Sequence, residues 1–263
     1  SEFWNSMKLS KNKKVYFASD NHLGLEAKLS TKERERIFVD WLDNVRRDAS
    51  AIYLLGDLFD FWFEYKRVVP KGFVRVLGKI AEISDSGIPI TFFVGNHDLW
   101  MKDYFQKELG VRIHFNPIEI KINETVFMVG HGDGLGPGDY GYKRMKKIFK
   151  NTFFQWLFRL IHPDFGIRIG NYFSQKNRFI SGEEDLKFLG EKNELLVKYC
   201  KSKLEQKYYN YFIFGHRHLP LEIDLGKQSK YINLGDWITH FTYGVFDGRS
   251  FSLEKWKNGI SND

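Results

Sequence analysis

Five short segments of this 263-residue chain hold most of the side chains that could bind a metal ion or move a proton. They read DNH, GDLFD, GNHD, HGD and GHRH and occupy 20–22, 56–60, 95–98, 131–133 and 215–218. Five of the eight histidines fall inside them, each beside a carboxylate, an amide or another histidine. A single segment of this kind is ordinary on a protein surface, but five such segments in one chain indicate one shared site.

The donor types in these segments favour a pair of divalent cations. They offer carboxylate oxygen, amide oxygen and imidazole nitrogen, which suit Mn, Fe, Zn or Mg rather than Cu(I) or an iron–sulfur cluster. The single cysteine, Cys200, lies outside them. The candidate ligands exceed the four that one tetrahedral ion takes; they are Asp20, His22, Asp57, Asn96, His131, His216 and His218. Two ions about 3.5–4 Å apart usually share a carboxylate, and we expect Asp57 to be that bridge.

Each segment follows a run of β-branched and aromatic residues. These runs span 14–19, 51–55, 90–94, 126–129 and 211–214. Near-continuous apolar runs of this length predict buried strands, and ligands of layered α/β folds collect beyond the carboxyl ends of such strands. Gly56, Gly95, Gly130 and Gly215 should let the backbone turn and approach an ion closely. We therefore predict an α/β fold in which five strand ends converge.

The length suits one large α/β domain with an insertion. We predict an N-terminal extension over 1–13, a core made of 14–139 and 200–263, and a helical insertion over 140–199. The stretch before Met7 is expected to come from cloning. The tail after residue 248 is predicted to form a last strand.

Composition and the first residues bear on the compartment. A single cysteine excludes a disulfide framework. Residues 1–13 are polar and lysine-rich and lack the apolar core of a signal peptide. We therefore expect a cytoplasmic protein.

The insertion concentrates positive charge among aromatic residues. Residues 143–178 contain nine basic side chains and one acidic side chain, Asp164. The basic ones are Lys143, Arg144, Lys146, Lys147, Lys150, Arg159, Arg168, Lys176 and Arg178. The interleaved apolar ones are Phe149, Phe153, Phe154, Trp156, Leu157, Phe158, Leu160 and Ile161.

A basic helix with an apolar face is typical of proteins that meet an anionic membrane or an amphiphilic ligand. One alternative is a helix packed on the core with a solvated basic face, and another is a nucleic-acid surface. The aliphatic content and the nearby metal site favour lipid, so we expect peripheral contact with a membrane and no nucleic acid. The run 153–161 is too short to span a bilayer.

Taken in order, the five segments resemble the calcineurin-like metallophosphoesterase superfamily over roughly residues 14–240. The resemblance implies a layered β-sheet sandwich flanked by helices, here with a helical lid insertion. It assigns one metal to Asp20, His22, Asp57 and His218, and the second to Asp57, Asn96, His131 and His216. It also makes His97 a phosphate-contacting residue or general acid oriented by Asp98, and Asp60 an acid behind the ligands.

A closer resemblance is to the UDP-2,3-diacylglucosamine hydrolases of lipid A biosynthesis. It rests on 56–65, on 131–149 and on the end of the basic insertion at 174–178. It implies attack of water on the α-phosphorus of UDP-2,3-diacylglucosamine, giving UMP and 2,3-diacylglucosamine 1-phosphate, commonly with Mn²⁺, on the inner membrane. It also implies a lid over the acyl chains. The implied substrate-binding residues are Asn96, His97, Tyr142, Ser174, Asn177, Arg178 and His216.

One departure keeps alternatives open. The better-known proteobacterial members have Arg where this chain has His97, which provides a positive contact only if it is protonated or donates a hydrogen bond. The chain could therefore be another dinuclear phosphodiesterase or nucleotide pyrophosphatase. A non-catalytic binding module with structural metals is a further alternative, although the complete ligand set with His97 argues against it.

Overall fold

The computed structural model describes residues 5–138, 140–185, 188, 190–191 and 194–257, without the side chains of 176–185. Its strands are β1 (Ser6–Met7), β2 (Lys14–Ala18), β3 (Ala49–Leu54), β4 (Ile90–Phe93), β5 (Arg112–His114), β6 (Ile118–Ile122), β7 (Thr125–Val129), β8 (Tyr211–Phe214), β9 (Pro220–Gly226), β10 (Ser229–Leu234), β11 (Thr242–Phe246) and β12 (Phe251–Lys255). Its helices are α1 (Thr31–Val45), α2 (Val74–Asp85), α3 (Tyr104–Leu109), α4 (Tyr140–Phe149), α5 (Thr152–Arg159), α6 (Pro163–Asp185) and α7 (Leu195–Leu204).

The described strands form two mixed six-stranded sheets. One has the order β12-β11-β2-β3-β4-β5 and the other β1-β6-β7-β8-β10-β9. β2, β3 and β4 are parallel, and so are β7 and β8, so their carboxyl ends meet at one edge of each sheet. The predicted α/β class, the five strands before the segments and the last strand are confirmed.

One buried cluster lies between the sheets, because the central strands are apolar on both faces. Phe17 of β2 stacks on Tyr53 at 5.2 Å and lies 6.2 Å from Phe127 of the other sheet. Helices cover the outer faces. Trp41 of α1 packs on one sheet, and Cys200 of α7 packs on the other.

Two details differ from the expected division of the chain. Residues Ser6–Met7, inside the predicted extension, pair with β6 as an edge strand. The expected boundary between 199 and 200 falls within α7, whose Leu196, Val197 and Cys200 are buried against the core. The helices that project from the core are therefore α4, α5 and α6, while the division itself stays a prediction. No helix in the described part of the chain is long and apolar enough to cross a membrane.

Candidate active site

The five segments meet where the two sheets end. Asp20 and His22 follow β2, Asp57 follows β3, Asn96 follows β4, His131 follows β7, and His216 and His218 follow β8. The loops are bonded to one another, since the backbone N–H of His22 donates to the Asp57 carbonyl oxygen at 2.9 Å. The backbone N–H of Gly215 donates to the His131 carbonyl oxygen at 2.9 Å. Both sheets thus contribute to one site.

Most of the candidate ligands have a backbone conformation that non-glycine residues avoid. Positive φ angles occur at Asp20 (59°), His22 (45°), Asp57 (52°), His216 (70°) and His218 (53°). Each such residue costs about 1–3 kcal/mol and persists only where the surrounding structure holds it. Strain of this kind concentrates at ligand clamps, which agrees with a metal centre.

Glycines provide the close approach that the sequence predicted. A Cβ atom at Gly95 would overlap Oδ1 of Asp57, and one at Gly215 would overlap Oδ2 of Asp20. Gly56 has a φ of 91°, and a Cβ there would lie 2.6 Å from Nδ1 of His131. No larger side chain fits beside the ligands at these positions.

The first group of ligands contains Asp20, His22, Asp57 and His218, whose ligand atoms lie within 4.8 Å of one another. Nε2 of His218 is 3.2 Å from Oδ1 of Asp20. Nε2 of His22 is 3.6 Å from Oδ1 of Asp20 and 3.6 Å from Oδ2 of Asp57. Two carboxylates and two imidazoles therefore face one point.

The second group uses the same Asp57 with His131 and His216, again within 4.8 Å. Nε2 of His131 is 3.2 Å from Oδ2 of Asp57. Oδ1 of Asn96 is 3.1 Å from Nε2 of His131 and 3.1 Å from Nδ1 of His216. The two predicted ligand sets are thus brought together, with Asp57 between them.

The donor set fits two divalent cations. Oδ1 of Asp20 and Oδ2 of Asp57 are buried and form no properly aligned hydrogen bond with the described residues. A buried carboxylate oxygen is costly unless a cation or a donor compensates it. Burial would raise the pKa of Asp57, but His131, His97 and His22 hold it well below its usual value, so the carboxylate is ionised. These two oxygens are where cations would supply the missing positive charge.

Two histidines are oriented from behind. Nδ1 of His22 is 3.1 Å from Oδ1 of Asp60, and Nδ1 of His131 is 2.6 Å from the Leu55 carbonyl oxygen. Because these oxygens accept, each Nδ1 carries a proton, and Nε2 would be the nitrogen that binds a cation. The expected supporting role of Asp60 agrees with this contact.

The described hydrogen bonds of Asp98 run to the backbone, and its expected role in orienting His97 stays a prediction. Its carboxylate accepts from the backbone N–H groups of Gly95 at 2.7 Å, Leu58 at 3.0 Å and Asp57 at 3.4 Å. Burial and the charge of Asp57 raise its pKa to about 7. Asp98 therefore ties the β3 loop to the β4 loop, because its side chain turns inward beneath both.

His97 is held by three other groups. Its backbone N–H donates to Oδ1 of Asp57 at 2.9 Å. Its Nδ1 lies 2.7 Å from the Ser174 hydroxyl and 2.9 Å from the Asp60 carbonyl oxygen. Ser174, expected to contact the sugar, is thus bonded to the core.

An apolar cavity of about 370 Å³ runs from the ligands into the insertion. Its polar end is formed by Asp60, Asn96 and His97. Its walls are formed by Phe61, Trp62, Leu99, Trp100, Tyr142, Met145, Lys146, Phe149, Phe158, Ile161, Ile169, Gly170, Phe173 and Ser174. Cavities of this size and composition bind ligands with large apolar parts. The insertion therefore creates a lipophilic chamber beside the candidate metals.

The insertion is attached to the core at both ends of this chamber. Trp100 donates from Nε1 to the Phe149 carbonyl oxygen at 2.7 Å. The Tyr142 hydroxyl donates to Oδ2 of Asp133 at 2.7 Å, and Lys146 forms an ion pair with the same carboxylate. Tyr142 lines the cavity, as expected of a substrate contact.

Two supporting residues were not foreseen from the sequence. Arg34 of α1 is buried and donates to the carbonyl oxygens of Asn21, His22 and Leu25, which fixes the first ligand loop. Arg217, between His216 and His218, forms a two-point ion pair with buried Glu194, both contacts being 3.0 Å. Arg217 could have been noticed inside GHRH, but nothing in the α1 sequence marks Arg34.

The side chains of Asn177 and Arg178, predicted to line the sugar side of the lid, lie outside the described residues.

Comparisons with known proteins show which family this chain belongs to. A family model described as calcineurin-like phosphoesterase matches residues 13–220. UDP-2,3-diacylglucosamine hydrolase of Porphyromonas gingivalis is 38% identical over 259 residues, covering 93% of this chain and 98% of that protein. The protein of the same name from Pseudomonas fluorescens is 28% identical over 227 residues, covering 85% and 87%. Among solved structures, the E. coli phosphoesterase Yfce gives a TM-score of 0.48 at 16% identity, covering 94% of this chain and 95% of that one. The chain therefore belongs to the calcineurin-like phosphoesterase family and, within it, to the UDP-2,3-diacylglucosamine hydrolases.

Proposed function

We propose that this protein hydrolyses UDP-2,3-diacylglucosamine to UMP and 2,3-diacylglucosamine 1-phosphate, a reaction of lipid A biosynthesis. The observation that carries the proposal is the joining of a two-group ligand cluster to an apolar cavity of about 370 Å³. A soluble phosphodiesterase would have no use for such a chamber. A lipid-linked pyrophosphate needs both parts.

We assign one cation to Asp20, His22, Asp57 and His218 and the other to Asp57, Asn96, His131 and His216. When bound, two divalent cations, Mn²⁺ by preference, would activate water and neutralise phosphate charge. The buried carboxylates and the imidazoles with fixed Nδ1 protons support this assignment.

The protein's own residues would position the pyrophosphate. His97 and Asn96 form the polar end of the cavity. An imidazolium at His97 would donate from Nε2 to a phosphate oxygen, because Nδ1 is already committed to Ser174 and Asp60. Tyr142 and Lys146 also line the cavity and would contact the phosphate or sugar. Phosphoryl transfer depends mainly on such positioning and charge stabilisation.

The insertion would hold the acyl chains and meet the inner membrane from the cytoplasmic side. Exposed apolar side chains cluster on α5 and α6, namely Phe153, Phe154, Trp156, Leu157, Leu160, Phe165, Ile169, Tyr172 and Phe173. Monomeric proteins rarely expose so many large apolar side chains together unless they contact a partner or a lipid surface. Basic residues of the insertion, such as Arg168 of α6 and Lys147 of the neighbouring α4, would attract anionic lipids. We therefore propose peripheral attachment through α5 and α6.

The test is release of UMP from UDP-2,3-diacylglucosamine and from its deacylated counterpart, each with Mn²⁺ or with chelator. We expect metal-dependent release from the diacylated compound at a kcat/KM at least about 100-fold above the deacylated one, since apolar burial provides binding energy. Equal rates on both would reject the acyl-chain role of the cavity. Activity on a generic phosphodiester alone would favour another dinuclear phosphodiesterase.

A further inference from the structure

Helix α6 carries three small residues at four-residue spacing on the face that meets the core: Gly166, Gly170 and Ser174. A Cβ atom at Gly166 would overlap the Tyr65 hydroxyl, and one at Gly170 would overlap the Phe61 ring. The helix therefore packs against 61–65 with no room for a methyl group. This contact brings Ser174, one turn further along, to the loops of Asp60 and His97.

The Ser174 hydroxyl bridges two groups of the site. It donates to the Asp60 carbonyl oxygen at 2.8 Å and lies 2.7 Å from Nδ1 of His97. Having donated its only proton, the hydroxyl can only accept from Nδ1–H. The Asp60 carbonyl, 2.9 Å from the same nitrogen, also only accepts. Both contacts therefore require a proton on Nδ1 of His97, which the imidazolium also carries.

The position of the His97 ring is important because the ring lies between the ligands and the cavity. The His97 ring contacts the His22 ring edge-on, with centroids 4.7 Å apart. The ring also lines the apolar cavity. A rotated ring would move Nε2 away from the place where a phosphate must lie beside the ligands.

We propose that Ser174 is a positioning residue for His97, so that helix α6 of the insertion holds the Nδ1 proton and fixes the ring orientation with which His97 meets phosphate. The proposal rests on the proposed function in one respect, namely that the site acts on a phosphate ester or pyrophosphate. It differs from the sugar contact that the family resemblance implies for Ser174. It also makes the seating of the insertion a condition of catalysis.

Kinetics with two substrates separate the two roles. Ser174→Ala, Ser174→Thr and the control Asn171→Ala, an exposed α6 position, are assayed on UDP-2,3-diacylglucosamine and on bis(p-nitrophenyl) phosphate, which has no acyl chain or sugar. We expect Ser174→Ala to lower kcat by roughly 10–100-fold on both, because misplacement of a catalytic group has effects of this size. Ser174→Thr retains the hydroxyl and should restore most of the rate. A higher KM for the lipid substrate, with unchanged turnover of the aryl diester, would overturn the proposal.

Nitrogen NMR of the histidines gives a readout that needs no substrate. In Mg²⁺-loaded wild-type protein we expect a single His97 state whose Nδ1 is protonated, and in Ser174→Ala a mixture of states or exchange broadening. An unchanged His97 signal in Ser174→Ala would reject the positioning role. Neither the NMR signal nor the aryl diester assay involves lipid. If the wild-type protein fails to hydrolyse the lipid substrate, the proposed substrate is rejected, while these two measurements still decide the role of Ser174.

A second variant acts from a distance. Gly170→Ala should push α6 away from Phe61 and reproduce the kinetic and NMR changes of Ser174→Ala, although residue 170 does not touch His97. Gly141→Ala is the matched control, since a Cβ there meets nothing within 4 Å. A folded Gly170→Ala protein with wild-type turnover of the aryl diester would show that α6 seating does not reach His97.

Discussion

Asp57 is the side chain that both groups of ligands share. One carboxylate oxygen, Oδ2, lies 3.2 Å from His131 and 3.6 Å from His22, and the other accepts the His97 backbone N–H. It therefore connects both candidate metals to the residue at the polar end of the cavity. Its removal should affect all three.

We predict that Asp57→Ala reduces kcat/KM by at least about 10³-fold, because charge stabilisation by a single preorganised group is already worth that much. Metal content measured by elemental mass spectrometry should fall below two equivalents per chain. A folded Asp57→Ala protein with two equivalents and near wild-type activity would contradict the bridging assignment.

Glycine beside a ligand gives a second prediction at this scale. Gly95→Ala should lower metal affinity and destabilise the fold by about 1–3 kcal/mol, because the added methyl overlaps Oδ1 of Asp57. Gly78→Ala, an exposed position in α2 where a Cβ meets nothing, should instead stabilise by about 0.5–1 kcal/mol. Chemical denaturation and metal titration of both variants measure the difference. Equal stability and equal metal affinity of the two variants would contradict the close packing of Gly95 against Asp57.

For single residues, the sequence predicts which side chains could bind the metals but not which contacts hold those side chains in place. The types and spacing of Asp20, His22 and the other candidates suffice to bring them together, because five strand ends meet at one place. The inward turn of Asp98 and the Ser174 contact of His97 depend on loop conformation and on long-range packing. Neither leaves a local pattern in the chain.

Among the elements, α1 does more than cover a sheet. The helix begins with a capping box between Ser30 and Glu33. Its next residue, Arg34, is buried and donates to three carbonyl oxygens of the loop that carries Asp20 and His22. The helix thus clamps the first ligand loop.

We predict that Arg34→Met lowers the free energy of unfolding by at least about 2 kcal/mol, since each buried carbonyl left without a donor costs about 1–3 kcal/mol. It should also weaken metal binding, because the first ligand loop loses its support. Arg36→Met, an exposed position on the same helix, is the control and should change neither. Thermal unfolding with and without metal compares the two variants. If Arg34→Met and Arg36→Met unfold alike, Arg34 does not hold the first ligand loop.

The helices of the insertion illustrate what periodicity can and cannot predict. Apolar and basic spacing predicted helices over 140–199, and α4 to α6 lie there. The same spacing could not separate α7 from them, because a helix that packs on the core and one that projects from it share the pattern. The small residues Gly166, Gly170 and Ser174 were the available signal for close packing.

On the scale of the whole molecule, the metal cluster and the insertion enclose one chamber. Filling it should affect the lipid substrate alone. Met145 lines the cavity, and Met145→Trp should narrow it. We expect KM for UDP-2,3-diacylglucosamine to rise roughly 10-fold, because overpacking an apolar space costs about 1–3 kcal/mol. Leu160→Trp, exposed and outside the cavity lining, should not raise this KM. Steady-state kinetics measure KM for the lipid substrate and, as a reference, for the aryl diester. If Met145→Trp does not raise KM for the lipid substrate selectively, the cavity does not bind the acyl chains.

The exposed aromatic surface of α5 gives a prediction about membranes. Trp156→Glu should weaken co-sedimentation with anionic vesicles on the order of 10-fold, through lost apolar burial and added negative charge. Tyr208→Glu replaces an aromatic side chain of similar exposure elsewhere on the molecule and should have little effect. Equal vesicle binding by both variants would contradict membrane attachment through α5.

The arrangement of the whole molecule was only partly accessible from the sequence. The sheets and their common edge follow from apolar runs and from the family resemblance. The cavity depends on side chains far apart in the chain, such as Trp100 and Phe158, packing at 4.7 Å. Such contacts arise from tertiary packing and have no sequence signature of their own.

The most direct test of the central claim is hydrolysis of UDP-2,3-diacylglucosamine by the Mn²⁺-loaded protein in water enriched in oxygen-18, with mass spectrometry of both products. We predict one labelled oxygen in UMP and none in 2,3-diacylglucosamine 1-phosphate, with no turnover in chelator. Label in the lipid phosphate, or label in UMP with chelator present, would contradict it.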